Sequence, residues 1–500
     1  MDDRTPILIG AAQFTQRDVD IAAAQSPVAM MAECARRAAR DAGADARILA
    51  QLDTVAVVNL LSWHYGNPPG ALAQLVAAAP RRQLYSTVGG NTPQWLVNET
   101  AELIAQGQVR FALIAGAEAV YTAQRSRRAG QHLDWAIATT GAPTIVGTDK
   151  AGSTDHEMVH GIYLPVAVYP LFENALRAHY RLSLQEHRAR LGALCSGFSA
   201  VAAANPYAWF REARTADEIA TPTPQNRFIG YPYTKFMNAI IDVDQAAAVL
   251  MTSVGAAREM GVPQARWVYL HGCADAHDLW FVSERVNYHS SPAIRLAGQR
   301  ALKMAGLHIG DVDYLDLYSC FPSAVQIGRD MLGIALDDPR PLTITGGLPY
   351  HGGPGNNYTM HGIATMLDKV RAQPGTTGLV TGLGWYLTKH AVGIYSTTPP
   401  APPWRREDPA TYQADLDVMP HPRLATEPRG RATIETYTVL HDRDGHPMRG
   451  IVIGRLADGA RFLANTPADR ALLEDLEAED AIGRPGTVTS ADESNVFVPA

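Results

Sequence analysis

Three titratable side chains stand at the ends of predicted strands or in loops, where a ligand can reach them. Tyr318 follows the apolar run "DYLDL", His351 lies in "YHGGPG" and His390 lies in "YLTKHAVG". A tyrosine can donate a proton, or accept one when its pKa is lowered, and a histidine titrates near neutral pH. The pattern predicts general acid–base chemistry with these three residues as catalytic candidates. The alternative for each is structural: a core aromatic with a bonded hydroxyl, or a histidine held by hydrogen bonds.

The segment "HEMVH", His156 to His160, matches a two-histidine zinc motif in its letters. That chemistry needs both histidines on one face of a long helix, with Glu157 as the base and a third ligand elsewhere. Gly161 and Pro165 follow at once and would end such a helix. We therefore expect a surface or packing contact here, and no metal.

The four cysteines are scattered without the CxxC spacing of a redox or zinc motif. This usage is typical of a reducing compartment and predicts neither a disulfide framework nor a zinc ribbon. Cys320 ends a predicted buried strand, where a lone cysteine is usually a small core residue.

Composition excludes several classes of protein. The chain has 500 residues, 46% of them hydrophobic and 19% charged, and a net charge of −7. A sequence-independent nucleic-acid binder needs a basic face, so this charge argues against one. No apolar run is long enough to span a bilayer, and "MDDRTPILIG" lacks the basic start of a signal peptide. We expect a cytoplasmic protein.

Strand and helix patterns alternate from the start, and the same order returns later in the chain. "AARDAGADARILAQLDTVAVV" is echoed by "ALKMAGLHIGDVDYLDLY", and "ELIAQGQVRFALIAGAEA" by "MLDKVRAQPGTTGLVTGLG". In both halves a helix opens with Ser-Pro, a favourable cap and first-turn pair. The pattern predicts a duplicated α/β architecture with mostly parallel sheets covered by helices, including a strand over "PLTITGG".

The interruptions between these patterns predict four parts. Residues 1–122 form the first half, 123–235 an inserted and partly helical lobe, and 236–397 the return segment and the second half. In residues 405–500 the helical patterns give way mostly to short strand patterns, which predict a small antiparallel barrel. The proline-rich linker "TTPPAPPW" is short and stiff, so we expect the barrel to dock on the core.

Two related α/β halves with a lobe between them resemble the thiolase superfamily. The stretches that carry this resemblance span residues 5 to 397: "QWLVNETAELIAQGQVRFALIAGAEA", "YPYTKFMNAIIDVDQAAAVLMTS", "DYLDLYSCFPSAVQ", "ITGGLPYHGGPGNNYTMHG" and "GLVTGLGWYLTKHAVG". The second is similar to sterol-carrier-type thiolases. The last segment looks like the extra domain of certain thiolase-like proteins, and like the OB-fold subunits that accompany thiolase-fold aldolases. The resemblance implies a five-layered core with an OB-like barrel.

The sequence departs from the family at all four reactive loops. The nucleophilic cysteine of a thiolase corresponds to Gly90, which cannot hold an acyl group. Tyr318 stands for the Asn or His of the second loop, Gly353 for the His of the third, and Gly382 or Leu383 for the Cys of the fourth. Thiolysis or Claisen condensation through an acyl-enzyme is not expected.

The resemblance implies an acyl-CoA-handling enzyme with another mechanism. Thiolase-fold aldolases also lack the cysteine and use tyrosines, so Tyr318 favours a retro-aldol-like C–C bond step on a CoA thioester. The alternative is a non-catalytic acyl-CoA-binding or scaffolding protein. The substrate is the CoA thioester and no further cofactor is expected; the assembly is a monomer or homodimer. Lys389 adds a further cation, and the expected substrate-binding residues are Gly89, Gly90, Asn91, Asn356 and Gly384.

Overall fold

The computed structural model describes residues 2–401, 403–491 and 494–500. Its strands are β1 (Pro6–Thr15), β2 (Thr54–Val57), β3 (Arg82–Ser86), β4 (Phe111–Ala119), β5 (Thr144–Val146), β6 (Phe228–Gly230), β7 (Tyr233–Thr234), β8 (Asp244–Ser253), β9 (Val268–His277), β10 (Tyr314–Asp316), β11 (Thr377–Gly384), β12 (Lys389–Ser396), β13 (Gly430–His441), β14 (Pro447–Leu456), β15 (Arg461–Asn465), β16 (Pro485–Thr489) and β17 (Val496–Pro499).

The helices are α1 (Pro27–Asp41), α2 (Asp45–Leu49), α3 (Pro68–Leu75), α4 (Thr92–Ala105), α5 (Val120–Ala129), α6 (Asp155–Val159), α7 (Pro165–Tyr180), α8 (Leu184–Ala204), α9 (Ala216–Ala220), α10 (Val254–Met260), α11 (Pro292–Ala305), α12 (Pro322–Leu332), α13 (Tyr358–Ala372), α14 (Ala410–Asp417) and α15 (Arg470–Ala478). Among the described residues, no helix combines the length and the apolar character that crossing a bilayer requires.

The two halves share a ten-stranded sheet of order β10-β11-β12-β9-β1-β8-β4-β2-β3-β5. Leu8 of β1 pairs with Val268 of β9, and this contact joins the halves. Helices α4 and α13 contact strands of both halves, while α1 packs on the first half and α11 on the second. The two halves of this continuous sheet thus pack on α4 and α13 and form two of five layers, helix–sheet–helix–sheet–helix. The predicted duplicated α/β core is confirmed.

Local signals explain where the helices of the core begin. Ser26 accepts a hydrogen bond from the amide of Ala29 at 3.2 Å, and Ser291 accepts one from Ile294 at 3.2 Å. A serine oxygen satisfies an amide that the first helical turn leaves free, and the following proline already has a helical φ. The Ser-Pro starts predicted for α1 and α11 are confirmed.

The predicted strand over "PLTITGG" is wrong, because that segment bends around a buried carboxylate. Asp316 accepts hydrogen bonds from the amide of Ile344 at 3.0 Å and the hydroxyl of Thr343 at 2.9 Å. The Thr343 hydroxyl oxygen also accepts hydrogen bonds from the amides of Thr345 and Gly346. In this segment the backbone amides therefore donate to side chains, whereas in a strand they would donate to the carbonyls of a neighbouring strand. Burial raises the pKa of Asp316 to about 6, although these hydrogen bonds act against the rise.

The C-terminal segment forms the predicted barrel, in which β13, β14, β15, β17 and β16 close on one another. The barrel is docked on the rest of the chain, as its linker predicted. Gly230 of β6 pairs with Leu440 of β13, so the inserted lobe extends the barrel sheet. In the linker, the Trp404 indole donates to Leu270 O at 2.7 Å, and Arg406 forms an ion pair with Glu99 at 2.7 Å.

Candidate active site

A cavity of about 900 Å³ lies where the core loops meet the inserted lobe. The lobe and its flanks contribute mostly apolar side chains, among them Tyr163, Leu164, Val166, Phe210, Phe236 and Ile240. The core contributes the turn Gly89–Gly90, Tyr318, Cys320, Asn356 and Leu383. Such a size and lining suit a bulky apolar ligand that a few polar groups orient.

Tyr318 occupies the space where a side chain at position 90 would begin. A Cβ built on Gly90 would overlap the Tyr318 hydroxyl oxygen and would lie 2.6 Å from both Tyr318 Cζ and Leu383 O. Real Cβ atoms do not approach other atoms this closely, so glycine is required while Tyr318 stays in place. The tyrosine of the second half therefore fills the site that the first half leaves empty.

The Tyr318 hydroxyl is a proton donor in this environment. The side chain is 7% exposed, faces the cavity, and meets the Tyr358 ring edge-on at 5.5 Å between centroids. Burial, with Cys320 and Tyr358 nearby, raises the pKa of Tyr318 well above its usual value. Among the described residues we find no hydrogen-bond partner for its hydroxyl, so the O–H group, which keeps its proton, is free to donate a hydrogen bond to a ligand.

His351, a predicted catalytic residue, is fully buried and is not among the residues that line the cavity. Its ring packs against Tyr358 at 5.8 Å and His361 at 4.9 Å between centroids. Burial lowers the pKa of His351 to about 4, and its Nε2 has no hydrogen-bond partner in the described part of the chain. This histidine is neutral at pH 7 and lies one ring behind Tyr318.

His390, the third predicted catalytic residue, belongs to a buried polar cluster. Its Nε2 lies 3.3 Å from an Asp278 carboxylate oxygen, 3.4 Å from the Ser291 hydroxyl and 3.2 Å from Leu387 O. His390 and Tyr318 both border an internal gap of about 10 Å³, but only Tyr318 also faces the large cavity. The structure thus brings one of the three predicted catalytic residues to the cavity.

The predicted substrate-binding residues divide in the same way. Gly89, Gly90 and Asn356 line the cavity, whereas Asn91 and Gly384 do not. The Gly89 amide is not available to a ligand, because it donates to Asn356 Oδ1 at 2.8 Å. Asn91 Oδ1 is buried without a hydrogen-bond partner in the described residues, and it points at Gly89 and Gly384.

Lys389, which the sequence offers only as a further cation, lies directly beside the glycine turn. Its ammonium is 2.8 Å from where a Cβ of Gly89 would be and donates to Val88 O. Burial lowers the pKa of Lys389 to about 8, although the charge of Asp149 acts against the shift. No local pattern marks this lysine, since only the pairing of β12 with β11 brings it to the turn.

Cys320 is the one thiol that faces the cavity within the described residues. Burial raises the pKa of Cys320 to about 12, although a hydrogen bond with Tyr169 acts against the rise. Because the thiolate is the nucleophile, a thiol held this far above neutral pH is unreactive.

The "HEMVH" segment serves the docking of the barrel. It forms the short helix α6, capped by Thr154, and His160 Nε2 accepts the amide of Asn495 at 3.0 Å. Glu157 is fully buried and accepts the amide of Ser283 at 2.6 Å. In the described part of the chain no group of three His, Cys, Asp or Glu side chains is placed to hold a metal ion.

Comparison with known proteins places this geometry in a known architecture. A family model described as the thiolase-like protein type 1 additional C-terminal domain matches residues 412–493. The whole chain is similar to the crystal structure of a monomeric SCP2-thiolase-like protein type 1 (STLP1) from Mycobacterium smegmatis, at 38% identity, 100% coverage of both chains and a TM-score of 0.87. No curated protein matches the sequence.

Two more distant structures share the fold. One is an Ltp2-ChsH2(DUF35) aldolase, at 17% identity and a TM-score of 0.58 over 78% of this chain and 97% of that one. The other is an acetyl-CoA acetyltransferase from Syntrophomonas wolfei, at 16% identity and a TM-score of 0.56 over 80% of this chain and 100% of that one.

Proposed function

The chain belongs to the family of SCP2-thiolase-like proteins type 1, and from this premise we propose that it is an acyl-CoA-handling enzyme that forms no acyl-enzyme. Its reaction makes or breaks a C–C bond beside the thioester carbonyl. One observation carries the proposal: the Tyr318 hydroxyl stands at a large apolar cavity, in the space that a nucleophile at position 90 would occupy.

Neither position 90 nor the thiol beside it can carry an acyl group. Gly90 has no side chain, and the nearby Cys320 is held as a thiol by burial. An acyl transfer through a thioester intermediate needs a thiolate at this place. The chemistry that remains is acid–base chemistry on a bound thioester.

A retro-aldol step on a 3-hydroxyacyl thioester matches what Tyr318 offers. The 3-hydroxyl loses its proton, the bond between C2 and C3 breaks, C3 becomes a carbonyl, and the electron pair forms a thioester enolate. The enolate then takes a proton at C2. Tyr318, as a protonated phenol, donates a hydrogen bond to the thioester oxygen while the enolate charge develops, which lowers the barrier.

The rest of the cavity supports an acyl-CoA as ligand. Its apolar walls suit the acyl group, and two cationic side chains are placed to meet the phosphates of the coenzyme. Arg214, stacked on Phe236 at 4.1 Å, and the exposed Lys235 both border the cavity. A guanidinium or ammonium is the usual protein partner of phosphate oxygens.

The direct test incubates the protein with a panel of 3-hydroxyacyl- and 3-ketoacyl-CoAs of increasing bulk and follows products by mass spectrometry. We expect a shortened acyl-CoA and a released aldehyde or ketone from at least one 3-hydroxyacyl-CoA. The Tyr318→Phe variant is the matched control and should lose that product. Binding of the panel without any product would exclude the enzymatic proposal.

A second function, non-catalytic binding of an acyl-CoA, is favoured by one specific observation. Neither His351 nor His390 faces the cavity, and its only described carboxylate, Asp242, accepts a hydrogen bond from Gln124 at 2.5 Å. The group that takes the proton from a 3-hydroxyl is therefore not assigned. A binding protein needs no such group, and it would hold the panel tightly in calorimetry with no turnover.

A further inference from the structure

One wall of the cavity is a turn with an unusual backbone. Trp385 and Tyr386 line the cavity between strands β11 and β12. Trp385 has a φ of 56° and Leu387 a φ of 57°. Residues other than glycine adopt this region at a cost, and they stay there only when their surroundings hold them.

Arg285 makes most of the hydrogen bonds that fix the backbone of this turn. Its buried guanidinium donates to Leu387 O at 2.6 Å, Tyr386 O at 2.9 Å and the Thr388 hydroxyl at 2.8 Å. The preceding carbonyl, that of Trp385, accepts the Tyr169 hydroxyl at 2.8 Å. Three successive carbonyls of the turn are therefore fixed by two side chains, and Asp278 lies 3.8 Å from Arg285 to balance its charge.

The backbone that carries Arg285 is held by the barrel. Arg461 of β15 is fully buried and donates to Ser283 O at 3.0 Å and also to Arg285 O. Its guanidinium stacks over the Tyr288 ring at 4.7 Å. A single barrel side chain thus binds the segment 283–288 at its carbonyls and at its aromatic ring.

Arg461 itself is oriented inside the barrel by Glu435. Its Nε and Nη2 donate to the two Glu435 oxygens at 2.9 and 2.7 Å, and Arg455 binds the same carboxylate. Although burial acts to raise it, the arginines hold the pKa of Glu435 below its usual range. This bidentate pair leaves Arg461 Nη1 pointing at the core.

We propose that the C-terminal barrel shapes the ligand cavity, with Arg461 as a positioning residue. Arg461 fixes the backbone of Arg285, and Arg285 fixes the Trp385–Thr388 turn that forms the wall. The barrel is then part of the specificity apparatus of the core, and not only a cover that adds stability. The statement about ligand binding rests on the proposed function, whereas the statement about the wall does not.

The test compares Arg461→Met with a matched control, Thr436→Val. Thr436 is also a buried barrel residue and donates to Leu171 O in the lobe, and among the described residues no hydrogen bond joins its side chain to Arg285 or the turn. Hydrogen–deuterium exchange of residues 384–389 is measured without ligand. We expect exchange to become at least about tenfold faster in Arg461→Met, as when a charged hydrogen bond is lost, and to stay unchanged in Thr436→Val.

Arg461→Lys keeps the experiment decisive if the methionine variant does not fold. A lysine keeps the charge near Glu435 but cannot bind both that carboxylate and the carbonyls of the core. Faster exchange confined to the turn in either variant supports positioning. Unchanged exchange in the turn, with a lowered melting temperature, overturns it and leaves only a stabilising role.

Palmitoyl-CoA is the probe for the ligand-binding part. If the wild-type protein binds it, we expect affinity to fall about tenfold in the Arg461 variant and to stay constant in Thr436→Val, since a mobile wall reduces the population of the binding-competent state. Faster exchange with unchanged affinity overturns the link to the ligand. If the wild-type protein does not bind palmitoyl-CoA, the proposed acyl-CoA function fails for this acyl group, and the exchange data still decide the positioning of the wall.

Discussion

The two halves of the core present contrasting turns toward the same cavity. In the first half, the turn after β3 contains Gly89 and Gly90 before helix α4; in the second, the segment after β10 contains Tyr318 before helix α12. Gly89 and Gly90 bring no side chain, and the second segment brings a phenol into the space left at Gly90. The two differences fit each other sterically, so the polar group at this place comes from the second half and not from the first.

The surroundings of the two turns differ as well. Lys389 places an ammonium beside Gly89, whereas Asp316, behind Tyr318, is bound by threonine hydroxyls and an amide. The first turn thus lies next to a cation, and the second lies next to a hydrogen-bonded carboxyl whose pKa burial raises to about 6. The hydrogen-bond donor of the proposed mechanism, Tyr318, therefore comes from the second half.

The strongest test of the contrast is Tyr318→Phe. If Tyr318 is the proton donor, turnover of the true substrate should fall about 10²–10⁴-fold, or 3–5 kcal/mol of barrier, with little change in melting temperature. Tyr350→Phe is the matched control, because Tyr350 lines the same cavity and has a buried hydroxyl. Full activity in Tyr318→Phe, measured by steady-state kinetics, would remove Tyr318 from the mechanism.

The next test concerns the cation of the first turn. Because burial lowers the pKa of Lys389 to about 8, the unfolded chain binds more protons than the folded one between about pH 8 and 10. Stability of the wild-type protein should therefore rise with pH in this window, relative to Lys389→Met, by up to about 3 kcal/mol. Urea unfolding at both ends of the window measures it, with the exposed Lys303→Met as control. Parallel behaviour of the two variants would contradict a lowered pKa at Lys389.

A smaller effect is expected from filling the first turn. Gly90→Ala places a Cβ against Tyr318 and Leu383 O, and overpacking of this kind costs about 1–3 kcal/mol. The cost should shrink in a Tyr318→Ala background, because one of the two obstacles is gone, and a double-mutant cycle measures this coupling. Gly328→Ala in α12 is the control, since its Cβ would meet only Leu317 at 3.9 Å. Additive costs for positions 90 and 318 would refute the steric fit.

The last test expects no effect. The intact mass of the protein should not change after exposure to acetyl-CoA, because no described side chain in the turn at Gly90 can take the acyl group. The Cys320→Ser variant should behave identically, since the pKa of Cys320 is raised to about 12. A stoichiometric acetyl adduct on either turn would show that the nucleophile had been displaced and not lost.

The sequence predicted much of the fold, and for local reasons. Helix α1 follows from Ser26, Pro27 and an apolar stripe, and α11 from the equivalent pair, because caps and periodicity act over a few residues. The barrel was predicted because strand patterns replace most of the helical patterns after residue 405. The predicted strand "PLTITGG" was wrong, because its amides donate to the side chains of Asp316 and Thr343 and not to a neighbouring strand. No local sequence pattern indicates these hydrogen bonds.

For the site, the sequence by itself determined that position 90 is a glycine, because residue identity needs no folding, and from this it predicted a site without a cysteine nucleophile. It also placed Tyr318 at the end of a strand, where ligands gather. Only the tertiary structure decided that Tyr318 meets Gly90, that His351 and His390 lie behind the cavity, and that Lys389 lies beside the turn. These facts depend on how two halves and a barrel pack over long sequence separations. Packing fixes which face of a loop is buried, and burial in turn sets whether a tyrosine, a histidine or a lysine carries a proton.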